Sequence, residues 1–442
     1  MNAARYFQRY FSPKQLKSIY YERIRYRENV GMDRITPSAF ESNLDENINL
    51  ISRKVLSGKY TFTRYREILI SKGRGKEPRV ISIPTIRDKL ALAAYHRLLQ
   101  SVFGESIKEP LLHSIVGNIT QEVLSGHFNG FVKIDITHFY ASIDHQLLLK
   151  KVRKKIRKPE AIQFLENAIT TETIAQMGSA PPKGKRSRGV PEGLSISNIL
   201  ADIYLSDFQE KVCTQYSVRF YRYVDDILIL CNETEANELK DYCKRILKTD
   251  YLLDVNTQKT MSGRITNEVP FLGYVFSANK ISVRKQAKEK LEDSLEQLFK
   301  LRKKQAISQQ VFVWRLNLKI TGCILDSKKY GWLFYYSQLT DLSILFHMDW
   351  FINHLFNRYG LNKNNEIKKF VRTYHEITKN VSQSNYLVNA DAYSLEQKIE
   401  ILTNIYGRKK LNAEDVQTMD SLFKGAMFKE VQQLEHDIQN FS

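Results

Sequence analysis

The segment FYRYVDDILIL, residues 220–230, sets two adjacent carboxylates, Asp225 and Asp226, between apolar runs that otherwise read as one buried strand pair. Uncompensated charge beside a core is costly. A chain with this segment therefore needs a turn at the pair and something to neutralise it. A hairpin meets the first need, because a reversal carries both carboxylates out of the apolar layer and into a cleft. The second has three ordinary solutions: protonation, a basic side chain or a divalent cation. A third aspartate, Asp135, sits in a run of the same texture, VKIDIT at 132–137. Only the cation also accounts for that one. Hard oxygen ligands of this kind suit Mg²⁺, and two such ions roughly 4 Å apart activate an attacking hydroxyl and stabilise a leaving pyrophosphate. The plainer readings are a solvated hairpin turn for the pair and an edge-strand charge for Asp135.

Charge balance bears on which reading holds. The 442 residues include 67 Lys and Arg against 48 Asp and Glu, a formal charge of +19. Such an excess gains affinity for a polyanion by releasing counterions from phosphates. The four cysteines, Cys213, Cys231, Cys243 and Cys323, form no CxxC pair and no zinc-finger spacing with histidine. This suits a reduced, cytoplasmic protein without structural zinc. The amino terminus lacks the apolar core of a signal peptide, and no apolar run reaches membrane-spanning length, so no membrane partner is expected.

Along the chain, Phe40, Leu44, Ile48 and Ile51 recur at helical spacing up to a stop at Gly58. YREILI and RVISIP flank SKGRGKEP as a hairpin with a cationic tip. A long helix is expected over TIRDKLALAAYHRLLQSVF, a strand over 131–140, and a basic helix over 145–158 capped by Asp144. Short strands are expected at YLLDVN and FLGYVFS, and helical spacing dominates from about Arg284 onward. Ser394 and Gln397 form a capping box. The fold class is α+β, with an all-helical carboxyl-terminal third.

Taken together, these blocks resemble a reverse transcriptase. YVDD at 223–226 is similar to the family's catalytic hairpin, and KIDITHFYASIDH at 133–145 to its first metal-binding block. GVPEGLSISNILADIYL at 189–205 is similar to the template-gripping block, LLDVNTQKT and FLGYVFS to the two later palm blocks, and SKGRGKEPRVISIPTIRDKL to the fingers. The six blocks occur in the family's order over roughly residues 25–345.

The resemblance implies a right-hand polymerase. Residues 1–130 would be N-terminal helices and fingers, and 131–283 the palm, with 161–205 partly fingers. Residues 284–360 would be a helical thumb and 361–442 an α-helical C-terminal extension. It implies that Asp135, Asp225 and Asp226 are catalytic and hold two Mg²⁺, with Mn²⁺ as a possible substitute and the Ile136 backbone as a further ligand. Lys72, Arg79, Tyr140, Gly193 and Lys259 would meet the nucleotide, Tyr140 as a steric gate against a 2′-hydroxyl. Core packing is the plainer role for Tyr140, and a strand-end decoration for Lys259. Lys76, Arg87, Lys183, Lys185, Arg186, Arg188, Ser197 and Lys319 would meet nucleic acid, with Lys328 and Lys329 further thumb candidates. Arg87 has a second reading as an ion pair with Asp88. Trp314, Trp332 and Trp350 are expected as core anchors.

Glu192 stands where many members carry Gln, and would face away or bind Arg188. SISN, with Ser197 and Asn198, replaces the usual small-Pro pair. The wording is most similar to the stand-alone defence-associated bacterial enzymes of the abortive-infection and unknown groups. That implies dNTP substrates and a structured non-coding RNA as template, held as an RNA–DNA duplex, in antiphage defence; a homo-oligomer is open. A retron-type enzyme and a maturase-like RNA-binding splicing cofactor are the alternatives.

Overall fold

A computed structural model describes residues 2–25, 29–71, 77–105, 112–175, 186–408 and 416–438. The protein divides into two compact units, residues 1–110 with 129–264, and residues 111–128 with 265–442.

The first unit holds β1 (Tyr65–Ile70), β2 (Arg79–Ile83), β3 (Gly130–Asp135), β4 (Thr173–Ile174), β5 (Arg219–Tyr223), β6 (Asp226–Cys231) and β7 (Met261–Arg264). β1 and β2 form the expected antiparallel hairpin, from Arg66 opposite Ile83 to Ile70 opposite Arg79, and β4 adds to β1 in parallel. The second sheet is antiparallel throughout, in the order β5-β6-β3-β7. β3 and β6 are the central strands: every residue of β6 and all of β3 but Asp135 are buried, with apolar side chains predominating. Val132, Ile134, Ile227, Ile229 and Cys231 share one core with Ile199, Leu200 and Ile203 from helix Ser197–Tyr204 and Leu239, Cys243 and Leu247 from helix Ala236–Tyr251.

Helix Ile86–Phe103 is buried nearly all round. Thr85 caps it by accepting the Asp88 N–H, and the buried Asp88 carboxylate accepts from Tyr60 Oη at 2.7 Å and Thr85 Oγ1 at 2.8 Å.

Three expected elements differ. The strand from 131 stops at Asp135, because His138 takes a left-handed conformation (φ 45°) and opens the short helix Phe139–Ser142. The basic helix, capped by Asp144 as expected, runs only over His145–Arg153; Pro159 then starts a new helix, Pro159–Thr170. YLLDVN makes a single bridge, Val255 to Ile136, because Leu252 is left-handed and ends the preceding helix.

In the second unit β8 (Val269–Phe271), β9 (Tyr274–Ser277) and β10 (Lys280–Val283) form a meander, so FLGYVFS is a hairpin turning at Leu272 and Gly273. A further sheet was not expected: β11 (Cys323–Leu325), β12 (Lys328–Tyr330) and a parallel β13 (Val388–Asn389). Its hairpin turns at Asp326 and Ser327, whose N–H groups both donate to the Asp391 carboxylate. Around the two sheets lie helices Lys285–Lys303, Gln309–Thr321, Ser343–Tyr359, Phe370–Lys379, Leu395–Asn404 and Val416–Ile438, the capping box at Ser394 being formed.

Trp332 is buried as expected, but Trp350 is 57% exposed. On helix Ser343–Tyr359 the inward positions belong to Leu345, Met348, Ile352, Leu355 and Phe356, which leaves Trp350 on the outer face. Among the described residues no helix is long and apolar enough to cross a membrane.

Candidate active site

The site grows from one hairpin turn. Tyr223 opposite Asp226 is the last pair of β5 and β6, so Val224 and Asp225 make the reversal. Val224 has φ 56°, a left-handed conformation that a β-branched side chain resists at a cost of about 1–3 kcal/mol. Strain of this kind persists only where surrounding contacts hold it. The turn delivers Asp225 to the end of the sheet, beside Asp226, and Asp226 stands opposite Asp135 in the β3–β6 register. The register therefore sets Asp135 opposite Asp226 at the end of the two central strands, with Asp225 next to it in the turn, although 89 residues separate Asp135 from Asp225.

Electrostatics follow from that placement. Burial pushes the Asp225 carboxyl above its usual range, and the charge of Asp135 adds to the effect. Asp135 is fixed through its backbone: its N–H donates to Thr260 Oγ1 at 3.2 Å and its carbonyl accepts from Asn256 N at 2.8 Å. Lys259 Nζ lies 3.5 Å from Asp135 Oδ1. An all-oxygen donor set with like charges crowded together fits a hard divalent cation in charge and chemistry. Among the described residues, however, no three His, Cys, Asp or Glu side chains converge closely enough to ligate one ion. Ile136 is placed by its bridge to Val255.

Beside the aspartates stand Arg79, Glu192, Gly193 and Tyr140. Glu192 pairs with Arg79 of β2 and not with Arg188, while its carbonyl accepts from Ser82 N at 2.7 Å. Gly193 has φ 95°, and a Cβ there would sit 2.7 Å from Ile81 Cγ2 and 3.1 Å from Ser82 O. Glycine is thus required where the loop meets β2. Tyr140 is buried and donates to Asn198 Oδ1 at 2.7 Å. Its hydroxyl is held above its usual pKa by burial, with Asp225 contributing.

The family model described as "Reverse transcriptase (RNA-dependent DNA polymerase)" matches residues 70–276. The chain carries a reverse transcriptase domain. The matched stretch contains all three aspartates, Arg79, Tyr140, Glu192 and Lys259. Protein YkfC of Escherichia coli (strain K12) is 22% identical over 289 residues, which are 55% of this chain and 74% of that protein. Group II intron-encoded protein LtrA of Lactococcus lactis subsp. cremoris is 25% identical over 213 residues, 47% of this chain but 35% of its own length. Among solved structures, telomerase from Candida albicans in complex with a fragment of telomeric RNA aligns with TM-score 0.47 and 12% identity, covering 89% of this chain and 67% of that one.

Lys72, Lys76, Lys183 and Lys185 lie outside the described residues. Arg186 and Arg188 are exposed and line a cleft of about 460 Å³ with Val80, Gly189 and Glu192; Arg188 also pairs with Asp144 at 3.8 Å. Arg87 is held by the Thr61 carbonyl, Thr63 Oγ1 and Asp88, and lies over the Tyr60 ring. The ion-pair reading of Arg87 is the one its contacts match. Ser197 is 2% exposed and donates to the Pro191 carbonyl at 2.6 Å, so its hydroxyl shapes the loop.

Lys319 sits in the second unit, bonded to Asp437 at 2.6 Å and to Ser294. Lys328 and Lys329 are exposed on β12. Sequence reasoning missed Asp202 and Arg222, which pair at 2.7 Å beneath the turn. The Arg222 position inside YRYVDD was the one available signal.

Proposed function

We propose that the protein is an RNA-directed DNA polymerase in which Asp135, Asp225 and Asp226 hold divalent metal for addition of dNTPs to a primer. The observation that carries this is the register pairing of Asp135 with Asp226, one residue from the strained Val224–Asp225 turn, inside the matched domain. Two Mg²⁺, replaceable by Mn²⁺, would supply charge stabilisation for the transferring phosphoryl group. The chain's own residues do the rest. In this reading Arg79 exchanges its Glu192 partner for the triphosphate, Tyr140 bounds the sugar pocket, and Lys259 gives a proton to the leaving pyrophosphate. The template is a structured non-coding RNA, retained as an RNA–DNA duplex, and the setting is antiphage defence. The sequence wording and the +19 charge support this narrower reading.

Primer extension by purified protein with dNTPs and Mg²⁺ tests the chemistry, and sequencing of co-purifying RNA together with the DNA made from it tests the template. No extension with any divalent metal would sink the reading. The similarity to LtrA, a group II intron-encoded protein, favours one second reading, a maturase-like RNA-binding role. That role survives Asp225→Asn, and DNA synthesis does not.

A further inference from the structure

The strained turn has an evident holder. Side chains alternate along a strand, so Arg222 shares the face of Phe220, which packs on the apolar core against Phe208. There Arg222 Nη2 lies 2.7 Å from Asp202 Oδ1 on helix Ser197–Tyr204, with the two side chains 17% and 12% exposed. The other arm of the same guanidinium, Nη1, donates to the Val224 carbonyl at 3.4 Å. One rigid fork thus joins the helix beneath the sheet to the single residue of the turn with a left-handed backbone.

A buried ion pair is a poor stabiliser beside apolar side chains of the same volume. Phe220 and Ile227 show that apolar packing was available at this place. What an apolar side chain does not offer is a donor for the Val224 carbonyl. Asp202 also lies one helical turn from Asn198, which holds Tyr140, so the same helix face sets both the turn and the ring.

We infer that Arg222 and Asp202 are positioning residues for Asp225: the pair clamps the Val224 carbonyl and thereby fixes where the Asp225 carboxylate stands. This rests on the reading of Asp225 as a catalytic carboxylate.

The test uses the full chain with Asp202→Asn, Arg222→Gln and Arg222→Lys. Three quantities are measured: kcat and nucleotide KM in primer extension, hydrogen exchange of peptides spanning residues 219–231, and the thermal midpoint. A misplacement of the order of an ångström costs up to about a hundredfold. Asp202→Asn and Arg222→Gln are therefore expected to lower kcat by about tenfold to a hundredfold, to change KM by less than about twofold, and to speed exchange at the turn. Arg222→Lys keeps the charge and loses the fork, so it should recover part of kcat.

Unchanged kcat with the pair broken overturns the inference. So does a loss that follows the global midpoint with no local change in exchange. If Arg222→Gln does not fold, Asp202→Asn and Arg222→Lys decide by the same criteria. Should Asp225→Asn itself retain activity, the catalytic reading fails; should it be inactive while Arg222→Gln behaves as wild type, only the positioning role fails.

Discussion

In the helical unit Glu430 and Asp437 are 4% and 5% exposed, and each meets a cation from helix Gln309–Thr321: Arg315 at 2.9 Å and Lys319 at 2.6 Å. In the sheet unit Asp226 is 8% exposed and faces another aspartate across the strand register, while Asp225 beside it is pushed above the ordinary carboxylate range by burial and by Asp135. Both regions bury acids. One supplies each fully buried acid with a cation of its own; the other sets Asp226 opposite Asp135 at the end of a sheet, with Lys259 3.5 Å from Asp135 on the exposed side. Ion pairs of the first kind fasten helices together; an assembly of the second kind loses stability by existing and so marks a place built for something brought from outside.

The contrast breaks most readily at Asp225. Asp225→Asn is expected to lower nucleotide incorporation by at least about a thousandfold, the upper range for one electrostatic group at a reacting centre. The same change should raise the thermal midpoint at neutral pH. A carboxyl whose folded pKa is raised favours the folded state at low pH and withdraws that support as pH rises through the folded value. The stabilising effect of Asn should therefore fade as pH falls below the usual Asp range, and Mg²⁺ should stabilise the natural protein more than the variant. Thermal unfolding across pH, with and without Mg²⁺, checks both.

Lys319→Met probes the other side. Removing one partner of a buried pair strands the second, at about 3–5 kcal/mol. Denaturant unfolding should show that loss. The salt dependence of RNA binding should stay as it was, whereas a nucleic-acid role for Lys319 would lower its slope.

Asn198→Ala removes the acceptor for the Tyr140 hydroxyl, worth about 0.5–1.5 kcal/mol. Selection of deoxyribonucleotides over ribonucleotides, measured by competing kcat/KM values, should fall by up to about tenfold. The smallest effect is expected from Glu192→Gln. Arg79 and Glu192 are 43% and 27% exposed, so their pairing is worth at most about 1 kcal/mol. Nucleotide KM should fall about twofold to fivefold as Arg79 is released.

What was legible in the sequence follows the same divide. The three aspartates stood out because charge inside apolar strands breaks a local rule, and the break is visible within six residues on either side. The β1–β2 hairpin, the caps at Asp144 and Ser394, and the core role of Trp332 were equally local. The partners of cations were not. Lys319 reads from sequence as a nucleic-acid contact of the thumb, because its partner Asp437 lies 118 residues away. Arg79 meets Glu192 across 113 residues. Trp350 was assigned to the core on residue type, but the helix phase gave the inner face to its aliphatic neighbours. The β11–β13 sheet was missed because β13 is two residues long and pairs in parallel with a strand far upstream.

The loop at Glu192 and Gly193 has a mechanical consequence. It is stitched to β2 at Ser82 by a backbone hydrogen bond, and Gly193 lets it press against Ile81 without a side chain between them. Glu192 thus grips β2 twice, its carbonyl bonding Ser82 and its carboxylate pairing with Arg79, so a single loop residue spans the strand from one end to the other.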